Sequence, residues 1–236
     1  MLFSFFKTSD HHKTEVIYRS FFSLPRYKIF LFIEKFYKFF VNSEDHRLET
    51  IVKIISKNKP RRILEIGSGT FPIYSFLPEE LKITIEYCIC EVNPQKADYL
   101  RKKYPNLKIS VADALGLPYK NDYFDLVFSK GVFHHIDNSD YTVRNKLRIN
   151  FLAESRRVLK VNEINLLMDF SYDPRRFKDF FWHFLHKLIL AEGEHNFSNK
   201  KETEHLFRES GYAGIEEGEF ETYKGLYYYV IGKKVD

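Results

Sequence analysis

A change of hydrophobic pattern near residue 61 is the feature that most constrains the fold of this chain. From there, short apolar runs alternate with helical or loop segments, which is the pattern of repeated strand and helix units and of a parallel sheet. The predicted strands are Arg62–Ile66, Thr84–Cys90, Lys108–Ala112, Phe124–Ser129, Ile164–Phe170, Ile215–Tyr223 and Leu226–Gly232. The predicted helices are Pro72–Leu77, Pro94–Lys103, Tyr141–Lys160, Pro174–Ala191 and Lys200–Ser210, with further helices in residues 14–57.

The link between the last two predicted strands sets their relative direction. Only Lys224 and Gly225 separate them. Two residues are too few for a parallel crossover, so the last strand must run antiparallel to its predecessor as a hairpin.

Composition limits the kind of protein this chain can be. It has 236 residues, of which 44% are hydrophobic and 29% charged, so disorder and a disulfide scaffold are excluded and one large core is expected. The two cysteines, Cys88 and Cys90, lie in one apolar run. We expect them to point to opposite faces of the sheet and to stay unbridged, which fits a reducing compartment.

The net charge of +5 lies in the N-terminal segment. Residues 1–60 carry 11 Lys and Arg against 6 Asp and Glu, and the remaining residues carry 26 of each. The main domain is therefore not expected to bind nucleic acid. The basic, aromatic N-terminal helix is open to two interpretations, peripheral contact with acidic membrane lipid or an ordinary solvated face. No apolar run reaches the roughly 18 residues of a membrane span, and we predict a cytoplasmic protein.

Glycines follow the first predicted strand directly. Arg62-Ile-Leu-Glu-Ile-Gly-Ser-Gly-Thr70 runs from an apolar strand into Gly67 and Gly69. At the carboxyl edge of an open α/β sheet, glycines let the backbone approach a nucleotide-like ligand, although a tight strand-to-helix turn would also explain them.

Carboxylates stand at the next two strand ends. Glu91 follows the second strand, 22 residues after Gly69, where a carboxylate can accept hydrogen bonds from both hydroxyls of a ribose. Asp113 ends the third strand, where it can meet an adenine amino group. A solvated carboxylate would explain either residue alone, but not the three successive features together.

These segments occur in an order and spacing that resemble one family. The segments are Ile63–Gly69, Glu91, Val111–Asp113, Phe124–Ile136 and Arg157–Lys160. Over residues 60 to 235 the chain resembles the class I S-adenosylmethionine-dependent methyltransferases, in particular the small-molecule branch with the ubiquinone and menaquinone methyltransferases. The resemblance implies an α/β, Rossmann-like, seven-stranded and mostly parallel sheet with an antiparallel last strand and helices on both faces. The helical periodicity of residues 14–57 adds an N-terminal helical extension.

The resemblance also implies the cofactor and the site. S-adenosyl-L-methionine is the expected cofactor, no metal is expected, and the acceptor is a small molecule methylated on O, N or C. The implied cofactor-binding residues are Glu65, Gly67, Ser68, Gly69, Glu91, Val92, Asp113, Ala114, Ser129 and Lys130. If the acceptor must lose a proton, His135 or His134 after the fourth strand is the expected base, with His135 favoured and a packing role as the alternative.

Two departures and two alternative functions accompany the resemblance. Phe71 stands where the family often has a third glycine, and Asn162 stands in a turn that is usually lysine, proline and glycine, where asparagine can adopt the left-handed conformation. A non-catalytic protein of the same fold is one alternative function. An NAD-type oxidoreductase is another, disfavoured by Pro72 in place of a glycine and by the terminal hairpin.

Two aromatic segments, Phe30–Phe40 and Phe177–Leu190, remain outside the predicted sheet and its helices. We predict that residues 1–60 form a helical extension and that the methyltransferase domain, residues 61–236, carries an insertion at about 174–210. The two segments are predicted to form a lid that favours an apolar or aromatic acceptor, with helix core as the alternative for their apolar stripes.

Overall fold

The computed structural model describes residues 46–173, 175–185, 196–222 and 225–236. The predicted helices before residue 46 lie outside this range. The helices are α1 (His46–Asn58), α2 (Glu79–Thr84), α3 (Pro94–Lys103), α4 (Tyr141–Val158), α5 (Phe177–Leu185) and α6 (Lys200–Glu209). The strands are β1 (Arg62–Ile66), β2 (Glu86–Glu91), β3 (Lys108–Val111), β4 (Phe124–Lys130), β5 (Leu159–Ser171), β6 (Tyr212–Thr222) and β7 (Gly225–Lys234).

The strands of the described residues form one seven-stranded sheet. Its order is β3-β2-β1-β4-β5-β7-β6. Strands β1 to β5 pair in parallel, whereas β7 runs antiparallel to both β5 and β6. The predicted fold class and the antiparallel last strand are confirmed. The order reverses between β1 and β4, and in such sheets ligands bind at the carboxyl ends of the strands next to that reversal.

The first half of the chain differs from the predicted elements in two places. Pro78 precedes a short helix, α2, which the sequence pattern did not predict, so β2 begins at Glu86 and not at Thr84. The predicted helix Pro72–Leu77 is a single 3-10 turn, Ile73–Phe76. Both segments are short and start after a proline, and four to six residues carry too little periodicity to identify a helix.

The turn before β5 behaves as predicted. Asn162 has a φ of 69°, the left-handed conformation that a glycine would otherwise supply. The strand itself is longer than the predicted Ile164–Phe170, because it also includes Leu159–Glu163 across an irregularity in its pairing with β4.

Two apolar layers cover the two faces of the sheet. One layer includes α1 and the 3-10 turn, where Ile51 and Ile55 of α1 are fully buried. The other includes α4 and α6, where Leu206 and Phe207 of α6 are buried. Helix α1 comes from the predicted N-terminal extension and α6 from the predicted insertion. Both helices therefore belong to the apolar layers that cover the sheet.

The cysteine prediction is half wrong. Cys88 and Cys90 are free thiols, but both belong to the layer that includes α4, so they share one face of β2. Alternate residues of a strand point to opposite faces, and residues two apart therefore point to the same face. Burial raises the pKa of the Cys88 thiol to about 11, so it is a packing residue and not a nucleophile.

In the described part of the chain, no helix combines the length and apolarity that crossing a bilayer requires.

Candidate active site

The loop after β1 is held in a conformation that requires glycine. Gly67 and Gly69 have φ angles of 68° and 61°, and the Gly67 N–H donates to the Cys90 carbonyl at 2.8 Å. A Cβ atom on Gly67 would lie 2.5 Å from Cγ2 of Val132, whereas one on Gly69 would have no atom within 4 Å. The loop thus packs against the loop after β4 at Gly67 and leaves open space beside Gly69.

Glu65 lies beneath this loop and supports it from inside. Its side chain is 1% exposed and accepts hydrogen bonds from the Tyr87 hydroxyl at 2.7 Å and the Ile73 N–H at 3.1 Å. Burial raises the pKa of Glu65 to about 7, against the opposing effects of the Tyr87 hydrogen bond, the Lys130 charge and the Ile73 N–H. Glu65 therefore fastens the start of the 3-10 turn to the end of β1.

Glu91 connects the glycine loop to helix α3. One carboxylate oxygen accepts the Gly69 N–H and the other accepts the Asn93 N–H, both at 3.1 Å. Asn93 in turn caps α3 by accepting from the backbone of Gln95 and Lys96. Glu91 is 3% exposed, so its carboxylate has a fixed orientation at the end of β2.

The third strand end presents an exposed carboxylate between apolar side chains. Asp113 is exposed and its Oδ1 accepts the Leu115 N–H at 2.9 Å. Val92 and Val111, at the ends of β2 and β3, are 57% and 42% exposed, and Ala114 is half-buried. An apolar surface next to a hydrogen-bond acceptor is suited to a flat, amino-bearing ring.

The end of β4 leads into the two histidines. Ser129 is buried and pairs in register with Ile66 of β1, and Lys130 follows it. After Gly131, whose φ is 66°, a 3-10 turn forms over Phe133–His135. The histidine turn therefore begins beside the glycine loop, at the Val132 contact.

His134 and Asp169 form a close pair. Asp169, at the end of β5, is 1% exposed and accepts the backbone N–H of His134 at 2.9 Å with one oxygen. Its other oxygen lies 2.7 Å from His134 Nδ1 and also accepts the Phe170 N–H at 2.7 Å. His135 is exposed, and its ring centroid lies 4.1 Å from that of His134. The structure therefore gives the carboxylate partner to His134, although the sequence favoured His135.

A buried arginine ties a distant segment to the histidine turn. Arg148 of α4 is 3% exposed and donates to the Ile136 carbonyl, to the Ser198 hydroxyl at 2.6 Å and to the Asn196 carbonyl. Asn196 also donates its backbone N–H to Asp137 at 3.0 Å. Residues 196–198 are thus fixed against the loop that follows the histidines.

This attachment places Phe197 against the ring of His134 and next to two further aromatic rings. The ring of Phe197 lies 5.4 Å from that of His134, and the rings of Phe170 and Tyr172 each lie 5.5 Å from that of Phe197. All three are half-buried. We call Phe170, Tyr172 and Phe197 the aromatic wall.

The structure thus collects the predicted site residues along the carboxyl edge of β1 to β4. Sequence reasoning missed three residues on the β4 to β5 side of the site: Arg148, Asp169 and Phe197. Asp169 carried a usable signal, because it is a single carboxylate at the end of the apolar run Leu166–Met168. Arg148 reaches Ser198 across 50 residues and Phe197 contacts His134 across 63, so neither residue gave a local pattern.

The residues of this edge fit a nucleoside cofactor. Gly69 faces open space, so a ligand can approach the backbone there. Each Glu91 oxygen accepts one backbone N–H, and a carboxylate oxygen can accept two hydrogen bonds, which leaves capacity for ribose hydroxyls. Among the described residues, no cluster of three or more His, Cys, Asp or Glu side chains is arranged for a metal ion.

Comparison with known proteins finds similarity to methyltransferases. Residues 64–164 match the profile of a family described as methyltransferase domain. An uncharacterized methyltransferase-like protein of Schizosaccharomyces pombe is 32% identical over 101 residues, covering 42% of this chain and 34% of the relative. Norajmaline N-methyltransferase of Rauvolfia serpentina is 29% identical over 98 residues, covering 39% of this chain and 32% of the relative. The similarity thus spans about a third of the length of these curated relatives.

A solved structure agrees at the level of the fold. The S-adenosylmethionine-dependent methyltransferase of Thermotoga maritima, a possible histamine N-methyltransferase, superposes with a TM-score of 0.55 at 19% identity, covering 73% of this chain and 82% of that one. The two proteins share the fold described above. Residues 64–164 of this chain therefore match a methyltransferase domain, and the sheet has the fold of an S-adenosylmethionine-dependent methyltransferase.

Proposed function

We propose that the protein is an S-adenosylmethionine-dependent enzyme that transfers a methyl group to an O, N or C atom of a small apolar or aromatic acceptor. One observation carries the proposal: the open glycine loop, held by Glu91, lies directly against the turn that carries His134. A cofactor cradle and a proton-accepting side chain are thus adjacent at one edge of the sheet.

The roles of the chain's own residues follow from their positions. Gly67, Ser68 and Gly69 would hold the amino-acid end of the cofactor, Glu91 the ribose, and Asp113 with Val92 the adenine. Ala114, Ser129 and Lys130 border the same edge. When bound, S-adenosylmethionine supplies a methyl group on a positively charged sulfur. The protein's contribution is to align the acceptor with that methyl group, an effect that can lower a barrier by about 7–11 kcal/mol.

The aromatic wall supports an aromatic or apolar acceptor. Phe197 packs against His134, Phe170 and Tyr172 pack against Phe197, and flat apolar surfaces of this kind bind planar groups. Helix α5, on the chain just beyond β5, adds exposed rings: Phe177, Phe180 and Phe184 are 78%, 51% and 51% exposed. We propose that α5 contributes to the predicted lid over the acceptor; residues 1–45 of the predicted N-terminal part of that lid lie outside the described residues.

Calorimetric titration with S-adenosylhomocysteine, the reaction product, tests the cofactor assignment. Glu91→Ala removes charge-assisted hydrogen bonds worth about 1.5–3 kcal/mol each, so we expect at least a tenfold loss of affinity. Glu86→Ala, at the opposite end of the same strand, is the control and should leave the affinity unchanged.

The outcomes separate the three candidate functions. No binding of S-adenosylhomocysteine by the wild-type protein would favour a non-catalytic protein of the same fold. Binding of a nicotinamide dinucleotide in its place would favour the oxidoreductase. Unchanged affinity in Glu91→Ala would contradict the ribose assignment alone.

A further inference from the structure

We infer that the protein has a second small-molecule site, a cleft at the amino ends of β2 and β3, and that this site takes a planar aromatic carboxylate. The cleft has a volume of about 360 Å³, at the lower end of the range for small-molecule sites. We call it the amino-edge cleft. Its lining residues come from β2, β3 and the segment between β3 and β4: Glu86, Cys88, Lys108, Ser110, Pro118, Tyr119, Lys120 and Tyr123.

The amino-edge cleft is separate from the proposed cofactor site. Glu86 and Glu91 are the first and last residues of β2, which places them about 17 Å apart along the strand. Between these ends, the Tyr119 hydroxyl donates to Ser110 Oγ at 3.1 Å and lies 3.4 Å from the Ile89 carbonyl oxygen. Tyr119 thus stands on the side of the cleft that faces the carboxyl edge of the sheet. A ligand in the cleft would leave the proposed cofactor site open.

The outer wall of the cleft is held in place from outside. Residues 112–123 cover β2 and β3 here without forming a helix. Arg157 of α4 donates to the carbonyls of Leu117 and Tyr119 at 2.9 and 2.7 Å, and the Leu117 N–H donates to Glu154 of α4 at 2.9 Å. The wall is therefore fixed before a ligand enters, which lowers the entropic cost of binding.

The floor of the cleft and one wall are apolar and aromatic. Cys88 is 1% exposed and belongs to the apolar layer that includes α4. The ring centroids of Tyr119 and Tyr123 each lie 5.0 Å from that of Phe124 in that layer or beside it. These surfaces suit a flat, apolar ring.

The mouth of the cleft carries more positive than negative charge. Glu86 accepts from Lys108 Nζ and from the Tyr123 hydroxyl, both at 2.8 Å, and its other oxygen lies 4.0 Å from Arg62 Nε. Lys120 Nζ lies 5.1 Å from the centroid of the Tyr123 ring. Three cations therefore stand beside one carboxylate.

The aspartates on either side of Tyr123 do not change this balance. Asp122 pairs with Lys234 and Asp125 pairs with Lys160. Within the described parts of the chain, Lys120 forms no ion pair. One such ammonium group next to an aromatic wall matches a single negative charge carried on a flat ring, which is the chemistry of an aromatic carboxylate.

The first test is an NMR titration of the full-length protein with 2-naphthoate, 2-naphthamide and acetate. The naphthoate should bind saturably and shift the amide signals of residues 108–110 and 118–123. The uncharged amide of the same shape should bind at least about tenfold more weakly, and acetate at equal concentration should not displace the naphthoate. Equal binding of naphthoate and amide, displacement by acetate, no saturation at millimolar concentration, or shifts at residues 131–135 instead would overturn the inference.

The second test reverses one charge at the mouth. Lys120→Glu should weaken naphthoate binding at least about tenfold, whereas Lys120→Arg should keep it within about threefold. Lys57→Glu is the matched control, because Lys57 is an exposed lysine on α1, in the layer that covers the other face of the sheet. The control should change the affinity less than about twofold. Equal losses in the two glutamate variants would mean attraction by net charge alone and would overturn the inference.

The third test separates the amino-edge cleft from the proposed function. Saturating S-adenosylhomocysteine should change naphthoate affinity less than about twofold, because the two sites lie at opposite ends of β2. Displacement of the naphthoate by S-adenosylhomocysteine would place the probe at the carboxyl edge and overturn the inference. Naphthoate binding in a protein that does not bind S-adenosylhomocysteine would support the cleft and contradict only the proposed function.

Discussion

The two halves of the site are built from contacts of different range. On the β1 to β3 side, Glu91 binds the backbone of Asn93 two residues away and of Gly69 22 residues away. On the β4 to β5 side, His134 pairs with Asp169 across 35 residues and Arg148 reaches Ser198 across 50. The proposed cofactor half depends on backbone conformation, whereas the proposed acceptor half depends on side chains brought together by the folded chain.

This difference suggests how the two halves divide their tasks. A cofactor common to many reactions can be bound by backbone groups, which any sequence with the required glycines provides. An acceptor is selected by side chains, which can change without altering the loop. Mutations in the first half should therefore change cofactor binding, and mutations in the second half should change turnover or local order.

The largest effect is expected for Gly67→Val. A β-branched residue would have to adopt a φ of 68° and would place Cβ 2.5 Å from Val132. Strain and overpacking together should lower the free energy of unfolding by about 2–4 kcal/mol and abolish binding of S-adenosylhomocysteine. Urea unfolding and calorimetry measure the two effects.

Gly69→Ala is the matched variant, because a Cβ there meets no protein atom. It should lose affinity with a smaller loss of stability. Normal stability and binding in Gly67→Val would show that the loop is not constrained as described.

Glu65 should give a pH dependence of stability. Its pKa is raised from 4.5 to about 7 in the folded protein, so folding takes up a proton between these values and stability falls as the pH rises through this window. Relative to Glu65→Gln, the wild-type protein should lose about 2–3 kcal/mol between pH 4.5 and 7.5. Urea unfolding of both proteins at several pH values measures the difference, and two parallel stability curves would contradict it.

Arg148→Lys tests whether the proposed acceptor half can lose order without a change in the proposed cofactor half. Lysine keeps the charge but loses the forked geometry that reaches Ile136, Asn196 and Ser198 together. We expect a loss of about 1–2 kcal/mol in stability and faster hydrogen exchange at residues 196–198, with cofactor affinity unchanged. Equal loss of order in the glycine loop would show that the two halves are not separable.

The smallest effect is expected for Phe177→Ser on α5. The side chain is 78% exposed, so the free energy of unfolding should change by less than about 0.5 kcal/mol. The thermal unfolding midpoint of the variant measures this. A much larger loss would mean that the ring is covered by residues outside the described range, which would extend the acceptor half to α5.

The same difference in range explains what could be predicted from the sequence. Gly67, Gly69, Glu91 and the antiparallel last strand follow from local patterns and from the length of one link, and the sheet topology agrees with them. The choice between His134 and His135 depends on Asp169, which no spacing rule connects to them. Helix α2 was missed because six residues after a proline carry too little pattern.

The attachment of residues 196–198 has a consequence for how such a chain can diversify. Before the stretch 186–195, the Asp179 carboxylate of α5 accepts the Asp173 N–H at 3.1 Å, and after it Arg148 and Asp137 hold Asn196. Both borders of the stretch are therefore anchored to the framework by their own contacts. Sequence and length between these anchors can drift, or be exchanged for those of another protein, while His134 and Asp169 keep their places. Evolution can therefore alter this stretch without rebuilding the edge of the sheet that carries the proposed site.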